Sequence, residues 1–319
     1  MNPTARIFVA GASTMIGRAV VRQLGAQGFT KLVGIDDGPK FDDCTSVDRF
    51  FAKTRPQYVV AAAGRTAGIL GNQKYPADLM LDNLFVATHL IPSAWRHGTE
   101  KLLYLASSCA YPKFAEQPLA VKSLWTGPVE PTSGAYAVAK LAGIRLCEAY
   151  RQQHGAHFIT AISADVFGPG DDFSATNSHV VGGLLRRMHE ARLSDAETVE
   201  IWGTGSPRRE FLYVDDLADA AIFLVRHYEG VEPINVGTGV TTTIRELAEI
   251  LRHVVGYTGE LRFDTGRPDG TQLKGLDSTP LRHLGWTPAW SLRAALERTY
   301  ESFLAHPETW EETPISYGG

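Results

Sequence analysis

Tyr136 and Lys140 stand four residues apart in Tyr136-Ala-Val-Ala-Lys140, and on a helix that spacing puts both side chains on one face. An ammonium beside a phenol favours phenolate, so the tyrosine is expected to move from about 10 toward working pH. A tyrosine tuned in this way can trade a proton with a carbonyl oxygen while a nicotinamide trades hydride with its carbon. Ser107, just past an apolar run, is the third expected member of the set. A tyrosine and a lysine at this spacing are common on helix surfaces. What points to catalysis is that they follow four strand-and-helix units and a serine at a strand end.

A second candidate is a turn. Gly11-Ala-Ser-Thr-Met-Ile-Gly17 lies between an apolar run and a helix-like segment, where backbone N–H groups and a helix N-terminus can hold a pyrophosphate. Thr14 takes the middle position where a glycine is usual, so the motif alone also fits an ordinary strand-to-helix turn. Asp36 and Asp37 lie about 25 residues beyond Gly11, near where an acidic side chain accepts hydrogen bonds from an adenosine ribose. The following Gly38-Pro39 equally suits a simple turn. Carboxylates at that place repel a 2′-phosphate, and NAD(H) is therefore expected over NADP(H).

The elements that must position these residues are legible as a rhythm. Apolar, β-branched runs recur at Arg6 to Ala10, Lys31 to Ile35, Gln57 to Ala61, Lys101 to Ala106 and His157 to Ile162, each followed by an amphipathic segment. Continuous apolar strands alternating with helices imply an α/β fold, a Rossmann-type doubly wound parallel sheet with ligands at the carboxyl ends of its strands. After about Ala164 the rhythm breaks into turns such as GPGDDF, then a helix around Val180 to Ala191. A smaller substrate lobe is expected over 166–319, interleaved with the dinucleotide-binding unit of 1–165. Returns to that unit are expected near 211–240, at the helix opening on Asp215-Asp216 and the strand Pro233 to Val236. Thr243 and Glu246 form a capping box for a later helix, and Ser291 to Leu304 reads as a closing helix before a polar tail.

Composition narrows the function classes. The chain has 319 residues, 44% hydrophobic and 21% charged, which suits about two globular lobes and excludes a disordered or collagen-like chain. A net charge of -4 offers no electrostatic grip on nucleic acid or an acidic membrane. Cys44, Cys109 and Cys147 are odd in number and unpaired in spacing, so neither a disulfide framework nor a metal site is expected. The first apolar run is too short for a secretory signal and no stretch of 18 apolar residues follows. A cytoplasmic, soluble protein is expected.

Ser107-Ser-Cys109-Ala-Tyr-Pro-Lys113, Tyr136 to Lys140 continuing as LAGIRLCEAY, Asn177-Ser-His179 with LLRRMHEA, then WGTGSPRREFLYVDDLA, INVGTG and RPDGTQLKGLD resemble the GDP-L-fucose synthase family of extended short-chain dehydrogenases/reductases. The resemblance spans essentially the whole chain. It implies 3,5-epimerisation followed by 4-reduction of a GDP-4-keto-6-deoxyhexose. Cys109 and His179 match the family's acid/base pair. The match is chemically sensible, because C3 and C5 both flank the C4 ketone and inversion needs a base and an acid on opposite faces. In isolation Cys109 would read as a small buried hydrophobe and His179 as a polar residue starting a helix. The resemblance also implies substrate contacts at Ser108, Asp165, Asn177, His179, Arg187, Trp202, Arg209 and Lys274, with the basic residues on the diphosphate and the indole on base or ribose. Cofactor contacts are expected at Gly11, Ser13, Thr14, Met15, Ile16, Gly17, Asp36, Asp37, Ala62, Ala63, Tyr136, Lys140 and Val166. Helices equivalent to Asn83 to Trp95 and Tyr136 to Gln152 are expected to pair two copies through a four-helix bundle.

The chain departs from the family pattern around the cofactor and the sugar. GASTMIG stands for GHRGMVG, Ile35-Asp36-Asp37 for a basic RTR, AAGRTAGI for AAAKVGGI, and Ser163-Ala-Asp165-Val-Phe-Gly-Pro for PTNLYGP. Two other readings stay open: an NAD-dependent sugar-nucleotide oxidoreductase or 4-epimerase that retains its cofactor, with a GDP-heptose among its candidate substrates, and a catalytically silent binding protein of the same fold.

Overall fold

The computed structural model describes residues 1–267 and 269–310. Pro268 of the RPDG motif and residues 311–319 of the polar tail lie outside them. The strands are β1 (Ile7–Ala10), β2 (Leu32–Val33), β3 (Tyr58–Ala61), β4 (Lys101–Ser107), β5 (Phe158–Ser163), β6 (Asp165–Phe167), β7 (Thr198–Trp202), β8 (Arg208–Arg209), β9 (Phe211–Tyr213), β10 (Ile234–Val236), β11 (Thr242–Thr243), β12 (Glu260–Asp264) and β13 (Leu273–Lys274). The helices are α1 (Met15–Ala26), α2 (Cys44–Thr54), α3 (Ile69–Lys74), α4 (Pro76–Phe85), α5 (Ile91–Arg96), α6 (Gly134–His154), α7 (Val180–Leu193), α8 (Val214–His227), α9 (Ile244–Val255), α10 (Thr279–His283) and α11 (Leu292–Ala305).

Six strands form one parallel sheet in the order β10-β5-β4-β3-β1-β2. Every residue of β1 and β5 is buried, as a sheet covered on both faces requires. The fold is thus α/β and Rossmann-like. β2 is shorter than its apolar run because it is an edge strand, with a ladder on one side only. Helix α1 packs on α8 and α4 packs on α6. A π-turn at Val86–Leu90 links α4 to α5 and turns His89 so that its Nδ1 meets the carbonyl of Phe41 at 2.7 Å.

The remaining strands build small sheets of two or three strands beyond the main one. Thr243 and Glu246 make both hydrogen bonds of the capping box at the head of α9. The last helix α11 meets α7 at His189, whose ring lies 5.1 Å from that of Phe303, centroid to centroid, and whose Nδ1 lies 2.9 Å from the Tyr300 hydroxyl. One buried amide ties the edge of the large sheet to what lies above it. Asn235 in β10 donates to the carbonyls of Leu119 and Asp277 and accepts from the Tyr111 hydroxyl. It thereby fixes the loop that follows β4 and the segment that follows β13. Among the described residues no helix is long and apolar enough to cross a membrane.

Candidate active site

Gly11 ends β1 with φ +82, and a Cβ there would stand 2.7 Å from the Ala63 Cα. A Cβ on Gly17 would stand 1.9 Å from the Gly11 carbonyl oxygen. The turn is therefore wound as tightly as backbone allows. Thr14 locks it from the middle: its hydroxyl donates to the Gly11 carbonyl at 2.8 Å, lies 3.2 Å from that of Ala62, and accepts from Gly17 N–H at 3.0 Å as the N-cap of α1. The glycine missing from the motif is thus replaced by a residue that braces the same turn. No acidic side chain occupies the first turn of α1, so its positive end is open to an anion. Ala62 and Ala63 are buried beside it, while Ser13, Asp36 and Asp37 are exposed. Met15, Ile16 and Val166 are half-buried. The tight 11–17 turn and the N-terminus of α1 fit the pyrophosphate of a dinucleotide.

Ser107 ends β4, and Tyr136 lies in the first turn of α6, the crossover helix from β4 to β5. Tyr136 and Lys140 are each only 7% exposed. Lys140 Nζ lies 5.7 Å from the centre of the Tyr136 ring and 5.4 Å from that of Tyr104, and donates to the Leu105 carbonyl at 3.3 Å. Burial, with no carboxylate partner among the described residues, draws its ammonium down to about 8. The expectation that Lys140 lowers the phenol is corrected here. Burial pushes Tyr136 well above its ordinary value, the nearby Cys109 adds to this, and the Ser107 and Thr66 hydroxyls and the Lys274 charge offset it only in part. A phenol held in its protonated form is a proton donor, as reduction of a ketone requires.

Cys109 sits in the short 3₁₀ turn after β4, its N–H on the Ser107 hydroxyl at 3.3 Å. His179 is the residue before α7 but its side chain does not cap that helix. Instead Nε2 lies 3.3 Å from the hydroxyl of Thr66. Burial lowers His179 below its ordinary value, Asp165 opposes this and Lys274 reinforces it. Asp165 accepts from Lys274 Nζ at 3.0 Å and from the Ser108 hydroxyl at 3.5 Å. Burial would raise this carboxyl, yet Lys274 and Arg209 hold it below the usual range.

Other expected substrate residues are dispersed. Lys274, expected at a diphosphate, is taken up by Asp165 and by Cys109, whose Sγ is 3.6 Å away. Asn177 is buried beside Gly71, and its carbonyl accepts from Gly68 N–H at 2.7 Å, so it fastens the loop carrying Thr66 rather than lining a surface. Arg187 is exposed and bonded to the carbonyls of Gly183 and Glu200. Arg209 is bonded to those of Arg208 and Thr271. Trp202 is exposed at the end of β7, with the Arg267 guanidinium 4.8 Å from its ring centre. Arg267 and Thr66 escape a reading of the sequence. The signal for Thr66 was the AAGRTAGI departure, which puts a hydroxyl in place of an apolar side chain.

The buried strand ends, the braced glycine turn and the Ser-Tyr-Lys set define a short-chain dehydrogenase/reductase of the extended kind. Residues 7–237 match the model of the NAD dependent epimerase/dehydratase family. GDP-L-fucose synthase 1 of Arabidopsis thaliana is 50% identical over 95% of this chain and 94% of its own length. Two solved structures from Campylobacter jejuni are each 30% identical. One, a GDP-6-OMe-4-keto-L-xylo-heptose reductase, covers 96% of this chain and 99% of its own with a TM-score of 0.90. The other, a GDP-mannoheptose C4 reductase with NADP bound, covers 95% and 99% with a TM-score of 0.86. The chain belongs to the NAD dependent epimerase/dehydratase family and, within it, to the GDP-L-fucose synthases.

The loop from β6 to α7 that delivers His179 carries a buried carboxyl, Asp171. Its Oδ1 accepts from Asp172 N–H at 2.8 Å, and its Oδ2 has no partner among the described residues. Burial raises it to about 7. A folded-state value above the unfolded 3.8 means that its contribution to stability is full below 3.8 and is lost as pH rises through about 7. Asp171→Asn keeps an acceptor for Asp172 and removes the charge. Urea denaturation is expected to show the variant gaining on the wild type by about 1–3 kcal/mol between pH 5 and pH 8. A constant difference across that range would exclude a titrating Asp171.

Proposed function

We propose that this chain is a GDP-sugar 3,5-epimerase/4-reductase acting on a GDP-4-keto-6-deoxyhexose. The observation that carries the reading is proximity: Lys274 Nζ stands 3.6 Å from Cys109 Sγ, the Thr66 hydroxyl lies 3.3 Å from His179 Nε2 and also bonds Tyr136, and the Lys274 charge reaches both Tyr136 and His179. A single sugar ring can therefore meet both the reducing acid and the epimerising pair. A nicotinamide dinucleotide bound along the 11–17 turn would supply hydride for C4. Tyr136 gives its proton to the C4 oxygen as negative charge builds there, with Ser107 beside it and Lys140 behind the ring. Cys109 and His179 remove and return protons at the carbons flanking the ketone, whose oxygen takes the charge as an enolate. Arg187, Arg209 and Trp202 belong to the nucleotide end.

Tyr136→Phe is expected to lower reduction by about 10²–10⁴ with dinucleotide affinity nearly unchanged. Cys109→Ser and His179→Gln are expected to suppress deuterium uptake at C3 and C5 while reduction of the unepimerised 4-keto sugar stays measurable. Mass spectrometry of the product formed in deuterated water reads both. Wild-type turnover in Tyr136→Phe would remove the reading, and normal uptake in both other variants would reduce it to a 4-reductase or 4-epimerase.

Within this NAD(P)-dependent family we assign NAD(H) to this chain. Asp36 and Asp37 are exposed after β2, where we place the 2′-phosphate site, and of Lys40 and Arg65, the two residues that could offset them, Arg65 is paired with Asp82. A like-charge contact costs about 4 kcal/mol at 4 Å and an effective dielectric near 20, and even a quarter of that gives roughly fivefold selectivity. Fluorescence titration at matched ionic strength is expected to show NADH binding at least about fivefold tighter than NADPH. Tighter NADPH would overturn the assignment.

Exposed Leu81, Trp95 and Val138 on α4, α5 and α6 support pairing of two copies through those helices in a four-helix bundle. Light scattering is expected to give twice the 34.8 kDa of one chain, and a monomer at micromolar concentration would exclude it. The cysteine content and charge support a cytoplasmic setting with no nucleic-acid partner.

A further inference from the structure

Lys274 reaches Cys109 across 165 residues of sequence, and several contacts hold it there. Its strand β13 pairs with β8 so that Lys274 stands beside Arg209. The next residue, Gly275, donates its N–H to Gln117 Oε1 at 3.1 Å, and Leu276 N–H bonds the buried Glu210 carboxylate at 2.6 Å. The backbone just after Lys274 is thus tied to the loop that follows Cys109 and to Glu210, the residue between β8 and β9. Its ammonium then spans Asp165 Oδ1 at 3.0 Å and Cys109 Sγ at 3.6 Å.

We propose that Lys274 is the positioning residue of Cys109: anchored by Asp165, its ammonium holds the sulfur in the cleft and supplies the countercharge whenever that sulfur is negative. The inference rests on the proposed epimerisation, in which Cys109 carries negative charge either before it takes a proton or after it gives one. Four other charged or titratable groups face this pair. Asp165 comes from β6, Tyr136 from α6, His179 from the head of α7 and Arg209 from β8. Asp165 is the only carboxylate among them. It is spent on Lys274, and among the described residues the ammonium is the charge in direct contact with Cys109. Lys274 itself is held above its ordinary value by Asp165 and Cys109 against the opposing effects of burial and Arg209, and it stays an ammonium through the working pH range.

The test is alkylation of the full chain by iodoacetamide as a function of pH, read site by site by peptide mass spectrometry. Only thiolate reacts, so the Cys109 rate follows its charge state. In Lys274→Met that rate is expected to fall about tenfold at pH 7, with the profile displaced to higher pH, and Lys274→Arg is expected to restore most of it. The double variant Asp165→Asn/Lys274→Met removes both charges, and it too is expected to alkylate several-fold more slowly than the wild type. Exposed Cys44 and buried Cys147 serve as internal controls, for reagent and for folding. An unchanged Cys109 profile in Lys274→Met or in the double variant, with Cys147 still protected, would overturn the proposal. If Cys147 becomes reactive in Lys274→Met, the Lys274→Arg profile decides, and a loss as large as that of Met with Cys147 protected would overturn it equally. Alkylation needs no sugar nucleotide, so this outcome is separate from the fate of the proposed substrate. Deuterium uptake in the same variants is expected to fall with the alkylation rate.

Discussion

Parallel strands all end on the same edge of their sheet, and the site depends on that constraint. β1 pairs with β3, β3 with β4 and β4 with β5, the last in a register that sets Ser107 opposite Ser163. The segments leaving those strands therefore emerge on one rim: the Gly11 turn, Ala62 and Ala63, the Cys109 turn, and Asp165. Parallel neighbours also need a crossover that runs back to start again. That is why α1 and α6 each begin at this rim and present Thr14 and Tyr136 there in their first turns. The segment before α7 and strand β13 then have only to bring His179 and Lys274 to it.

The chemistry of that rim is governed by which charges have partners once water is excluded. Asp165 and Lys274 compensate one another, and both stay ionised in spite of burial. Lys140 has no carboxylate partner among the described residues and is lowered by burial instead. Tyr136 is buried beside Cys109 and holds its proton. The same group of side chains thus contains a protonated donor, a histidine biased toward its neutral form and a cysteine beside an ammonium. A substrate that must be both deprotonated at carbon and protonated at oxygen needs such a division of roles.

The loop of Asp36 and Asp37, where we propose that the adenosine lies, follows a different logic, because it is exposed. Asp36 and Asp37 lie past a two-residue edge strand, and their loop is steadied at a distance by His89 on the Phe41 carbonyl. Selectivity at such a place comes from the sign of the side chains and not from burial, so it can change within a family while the glycine turn and the Tyr-Lys pair stay the same.

Local features of the chain were legible without a structure, since they depend on neighbours in sequence. The i, i+4 placement of Tyr136 and Lys140, the capping box of Thr243 and Glu246, the five core strands and the helix at Val180 all follow from short-range periodicity and hydrogen bonding, as did the fold class. The end of β2 and the direction in which Tyr136 moves did not, because a ladder partner and desolvation are supplied by tertiary packing. Neither did the bridge from Thr66 to His179, the Arg267 guanidinium over Trp202, or the withdrawal of Asn177 into the interior. Lys274 shows the difference most plainly. Its charge and motif mark it as a residue for an anion, but only the folding of β13 against β8, with Gln117 and Glu210 gripping the residues that follow, decides that the group it meets is Cys109. Contacts across 100 residues or more are chosen by which surfaces pack together, and spacing along the chain carries no record of that choice.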